Sequence, residues 1–118
     1  MQLRRKLETD ALDEVFRRGV DALRDGLTKN LVGYGRACLQ EDLEEVVRID
    51  LAFHRLIVES ADEGSLVAVW LPVISQMFLR YSRHHSLVES YDEHAAILRA
   101  IESGDRQGAK QLLREHIV

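Results

Sequence analysis

The chain has 118 residues, of which 46% are hydrophobic, and its 16 Lys and Arg against 20 Asp and Glu leave a formal net charge of −4. That is one domain's length with enough apolar material for a core, which excludes a disordered chain, and the acidic balance argues against a nucleic-acid-binding face or a polybasic membrane patch. No apolar run approaches the roughly 18 residues of a membrane span, the start Met1-Gln2-Leu3-Arg4-Arg5 lacks an apolar signal segment, and the one cysteine, Cys38, permits no disulfide within the chain, so a cytoplasmic setting is expected.

One proline among abundant Ala, Leu, Glu and Arg predicts an all-α protein, and neither strand alternation nor a hairpin turn signal is present. The first helix runs from Gln2 to Arg18 and stops at Gly19, with Arg4, Arg5 and Lys6 read as a solvated basic run. The second covers Val20 to Leu39, weakened by Gly26, Gly33 and Gly35, with Cys38 as a small core residue. Asp42 and Glu45 form a start signal for a third helix reaching Ser60, and residues 61–64 make a turn. Ser65 is expected to cap a fourth helix that extends to His84 or His85, with Pro72 kinking it or marking a late start. Ser86 with Glu89, and Ser90 with Glu93, are both capping boxes, so the fifth helix has two candidate starts before it ends at Ser103-Gly104. Asp105 caps the sixth, which carries Ala109, Leu112, Leu113 and Ile117. Short connections make neighbouring helices antiparallel, giving a single-domain bundle of six to seven helices over residues 1–118.

Polar residues interrupt the apolar stripes of three of these helices. The third helix reads inward as Leu43, Val47, Asp50, His54, Ile57 and Ala61, which places Asp50 and His54 at the centre of a core stripe, one turn apart. His94 heads the stripe Ile97, Leu98, Ile101, and His116 continues the stripe Ala109, Leu112, Leu113. One carboxylate and three imidazoles therefore face one interior. Burying an isolated Asp costs several kcal/mol unless it is paired, protonated or metal-bound. A divalent cation removes that cost, and a donor set of three nitrogens and one oxygen suits Zn²⁺, with Ni²⁺, Mn²⁺ and Fe²⁺ also compatible. Hydrogen-bonded core histidines and an Asp50–His54 pair are the other arrangement the same spacing allows.

Four segments carry a resemblance. Asp50-Leu51-Ala52-Phe53-His54 resembles the D-x-x-F-H motif of the FCD domain, the effector-binding domain of FadR-type regulators in the GntR superfamily. Leu3-Arg4-Arg5-Lys6-Leu7-Glu8 is similar to that family's first-helix pattern, the segment from Glu93-His94 to Gly104-Asp105 to its fifth-helix pattern, and Ala109 through His116-Ile117 to its closing one. The resemblance implies a helical bundle that holds a metal through Asp50, His54, His94 and His116, binds a small organic acid with the metal's help, and forms a homodimer. It implies an arginine on the helix before the third ligand facing the effector's carboxylate. Arg80 is the candidate, with Tyr81 and His84 as flanking effector contacts; the bland alternatives are a helix-end cation for Arg80 and His84 and a core position for Tyr81. Regulators of this type carry a winged helix-turn-helix module before the effector domain. None is present here, so DNA contact is expected only through that absent module, as in an excised domain. Asp62-Glu63-Gly64 stands where the family often has Gly-Asn, which alters a loop and removes no ligand.

Two functions lead on the sequence, with a purely structural metal bundle acting as a dimer scaffold as a third. One is a metal-assisted sensor of a small carboxylate. The other is a metalloenzyme, a hydrolase or oxygenase, for which the sequence offers no obvious inward general base: Glu93 diverges from His94 along the helix, and Glu59 and Glu89 lie on exposed faces.

Overall fold

Six helices and no strand are present among the residues that the computed structural model describes, 2–61, 64–75 and 86–117. They are α1 (Gln2–Arg18), α2 (Asp21–Leu39), α3 (Leu43–Ala61), α4 (Ser65–Ser75), α5 (Leu87–Glu102) and α6 (Arg106–His116). The punctuation is local chemistry. Gly19 and Gly104 hold positive φ angles of 125° and 73° after α1 and α5, a conformation that costs glycine little. Asp42 Oδ1 accepts from the Glu45 amide at 3.2 Å, and Asp105 Oδ1 accepts from the Gly108 amide at 2.9 Å, each satisfying an orphan donor of the first turn.

Of the two candidate starts for α5, Ser86 is the cap: its side chain accepts from the Glu89 amide. Ser90 is instead buried and hydrogen-bonds the Tyr34 hydroxyl across from α2, so its oxygen has tertiary work. Ser65 is the first residue of α4, and the carbonyl of Gly64 receives the Ala68 amide. Pro72 lies within the described part of α4, which neither stops nor begins there. The expected extension to His84 or His85 falls outside the described residues.

The packing closes a ring. α1 packs on α3, α3 on α2, α2 on α5, α5 on α6, and α6 on α1, while α4 covers the α1–α3 seam. The core inside the ring includes Leu12, Leu27, Tyr34, Phe53, Ile57, Ile97, Ile101 and Leu113, all fully buried. The glycines of α2 serve this closure at one point: a Cβ on Gly35 would stand 3.2 Å from the Tyr91 ring of α5, so the small residue lets the two helices approach. Three inward assignments need correction. Leu43 is 50% exposed, because α3 begins there and its first turn overhangs the core. Leu112 and Cys38 are half-buried, Cys38 at the α2–α5 seam with its thiol directed at the Leu87 carbonyl.

Candidate metal centre

The stripes that Asp50, His54, His94 and His116 interrupt all converge. Asp50 and His54 lie on the buried face of α3, His94 on that of α5 and His116 at the end of α6, with exposures of 3%, 0%, 0% and 8%. One potential ligand atom from each lies within 4.8 Å of the other three. The rings of His54 and His116 stack in parallel at 5.2 Å, and that of His94 stands edge-on to His116 at 4.4 Å. Phe53 and Tyr34 flank His94, with ring centroids 4.6 and 4.7 Å away, and fix its plane.

Each imidazole uses Nδ1 to hold itself in place. His94 Nδ1 donates to the Ser90 carbonyl at 2.6 Å, His116 Nδ1 to Glu93 Oε1 at 2.8 Å, and His54 Nδ1 to Glu8 Oε1 at 2.5 Å. The remaining nitrogen on each ring is Nε2. His94 Nε2 is 2.5 Å from Asp50 Oδ1. His54 Nε2 is 3.2 Å from the same oxygen but makes no hydrogen bond and is a buried polar atom without one.

One of these partners, Glu8, and the arginine behind it escaped the sequence. Glu8 is fully buried, and besides His54 it receives Arg4 Nε at 2.7 Å and Trp70 Nε1 at 3.0 Å. The basic run at the start of α1 is therefore not a solvated face: Arg4 is buried, Arg5 Nε reaches the Ile117 carbonyl at 2.6 Å, and only Lys6 is exposed, paired with Asp10. A signal existed, since Arg4, Glu8, Ala11, Leu12 and Val15 share one helical stripe, but its first two members are charged. Glu93 does diverge from His94, and in doing so meets His116 on α6. Arg80, Tyr81 and His84, the expected effector contacts, lie outside the described residues, as does His85.

The electrostatics follow from burying four ionisable groups together. Burial works against a charge on Asp50, yet the hydrogen-bonded His94 and the nearby His54 hold its carboxyl well below the usual range. Burial likewise opposes charge on His54, but Glu8 and Asp50 outweigh it and lift that imidazole to about 9. Glu8, despite its burial, is held at about 2 by His54, Arg4 and Trp70. His116 is pushed down to about 2 by burial and by repulsion from His54 and His94.

The donor set fits a divalent metal ion. Three imidazoles oriented through Nδ1 leave Nε2 as the donor atom, a carboxylate supplies the oxygen, and the His54 Nε2 without a hydrogen bond is a buried nitrogen that coordinates once its proton has left. The mixed nitrogen–oxygen chemistry suits first-row ions rather than Ca²⁺ or Mg²⁺.

A family model described as FCD domain matches residues 1–118. No curated protein and no solved structure matches the chain. Among the described residues, no helix is long and apolar enough to cross a membrane.

Proposed function

The chain belongs to the FCD domain family, and on that premise we propose that it is the effector-sensing and dimerisation domain of a GntR-type transcriptional regulator, loaded with a divalent metal and responsive to a small organic acid. The observation that carries the proposal is the convergence of Asp50, His54, His94 and His116 to within 4.8 Å in a buried interior, each imidazole anchored through Nδ1. Zn²⁺ is the first candidate, with Ni²⁺, Mn²⁺ and Fe²⁺ as alternatives. When bound, the ion supplies a positive charge and open coordination positions toward a carboxylate. The protein's part is to orient four donors and to exclude water with Phe53 and Tyr34. Arg80, Tyr81 and His84 are the proposed contacts for the rest of the acid.

Binding rather than turnover is favoured because each carboxylate beside the ligands is engaged. Glu8 accepts from three donors, Glu93 holds His116, and Asp50 is itself a donor to the metal, which leaves none of these three as a free base. Dimerisation would place two such domains about a two-fold axis, as two DNA-binding modules on a palindromic operator require. Leu3 on α1 and Val69 and Leu71 on α4 are exposed apolar side chains on two helices that pack together, and they support this face as the interface.

Elemental mass spectrometry of the purified chain is the first test. About one first-row metal per chain is expected, lost in the His54→Ala, His94→Ala double variant. Thermal shifts with lactate, pyruvate, citrate, glucuronate and dicarboxylates then identify the acid. A chain that takes up none of these metals after reconstitution defeats the metal-anchored sensor, turnover of the bound acid would transfer the site to the enzyme class, and a concentration-independent monomer in sedimentation counts against the dimer.

A further inference from the structure

We infer that Glu8 is a positioning residue for the metal centre: from a helix that supplies no ligand, it fixes the tautomer of His54 and ties that ligand to the protein's one tryptophan. The inference rests on the metal reading above and adds a residue and a readout to it.

Glu8 lies on α1 with no exposure to solvent, and its two oxygens are divided. Oε1 takes the His54 Nδ1 at 2.5 Å, while Oε2 takes Arg4 Nε at 2.7 Å and Trp70 Nε1 at 3.0 Å. An ionised carboxylate only accepts, so the His54 Nδ1 facing it must carry a proton, and in the neutral ring the lone pair is then at Nε2, the atom nearest Asp50. The other two ligand histidines are anchored differently. His94 uses a carbonyl of its own helix, and His116 uses Glu93, whose side chain is 43% exposed. Among the described residues Glu8 alone brings a fully buried negative charge to a ligand from outside the ligand helices. A buried Arg–Glu pair is poor evidence of a stability device, because an apolar pair of similar volume often serves as well. Its orientation toward His54 gives the charge a reason to be there. Trp70, from α4, shares the carboxylate, so a change in the His54–Glu8 bond alters the hydrogen bond on the indole.

Glu8→Gln separates the roles. The amide keeps the volume but has one acceptor and one donor end. With its NH2 toward His54 it forces the lone pair onto Nδ1. With its NH2 toward Arg4 and Trp70 it sets donors against donors. Zinc affinity of the full chain, by competition with a chromophoric chelator, is expected to fall by about 10- to 100-fold in Glu8→Gln. Helicity by circular dichroism is to remain. Zinc is expected to change Trp70 fluorescence in the wild type, and that response is to be lost in Glu8→Gln. A folded Glu8→Gln chain with wild-type zinc affinity and fluorescence response overturns this inference alone. A wild type that binds no metal overturns it together with the metal reading. Should the variant not fold, long-range proton–nitrogen spectra of the zinc-loaded wild type decide: His54 protonated at Nδ1 and metal-bound at Nε2 supports the assignment, and the reverse tautomer overturns it.

Discussion

A carboxylate and an imidazolium in a dry interior stabilise each other, and that mutual support competes with a metal for the same atoms. His54 is lifted to about 9 against the opposition of its burial, through Glu8 and Asp50, so in the metal-free chain it keeps its proton at neutral pH. A metal needs the lone pair, and binding must expel that proton. The sign follows: the folded value lies above 6.5, the charged form is the bound-proton form, and apparent affinity rises with pH until the medium passes about 9. His116 adds nothing to this slope in the same range, because burial and its histidine neighbours already hold it neutral, near 2. Zinc affinity measured at pH 6, 7 and 8 should climb by at least about tenfold per unit, the worth of the His54 proton. A flat profile would show that His54 is already neutral before the metal arrives. At this scale the sequence disclosed the buried cluster, since Asp50, His54, His94 and His116 each break an otherwise apolar stripe. It concealed Arg4 and Glu8 because they sit on a helix whose other face is also charged, and charge is ordinarily the mark of solvent.

At the scale of the helix, α6 shows how a surface feature reaches the site. It has 11 residues, too few to be stable alone, and it delivers His116 at its last position. Its start is fixed by the Asp105 cap and by Arg106 and Lys110, both 2.7 Å from carboxylate oxygens of Asp13 on α1. Asp105→Ala should lower stability by about 1 kcal/mol, the usual worth of such a cap, read as a shift of the urea midpoint at constant slope. Unchanged midpoints would mean that the Asp13 pairs alone hold the first turn. Those pairs have their own pH signature. Hydrogen bonding to Lys110 lowers the Asp13 carboxyl below its ordinary value, so its contribution is present above pH 4 or so and is lost as pH falls through the folded value. The helix limits were legible because Gly19, Asp42, Gly104 and Asp105 act within one turn of themselves. The start of α5 was not, since Ser86 and Ser90 carry the same capping pattern and only Tyr34, from α2, decides between them. Leu43 was misassigned for a related reason: periodicity gives a face but not where the neighbouring helix ends.

On the scale of the molecule, five helices form a closed ring, and the four clustered donors come from three of them, α3, α5 and α6. The other two ring members supply the supports, Glu8 from α1 and Tyr34 from α2. An ion bound at the centre therefore ties together segments that are joined in the unfolded chain only by long stretches of backbone. Because the unfolded chain does not preassemble this donor set, the binding free energy adds to stability. With free zinc at a hundred times its dissociation constant the gain is about 2.7 kcal/mol. For a domain of this size each kcal/mol moves the melting temperature by about 4 °C, so the shift should be on the order of 10 °C. It should reverse with chelator and be absent from the His54→Ala, His94→Ala variant. A melting temperature that zinc raises equally in that variant would place the stabilising ion elsewhere on the surface, and one that zinc leaves unchanged would reduce the buried cluster to a hydrogen-bonded core.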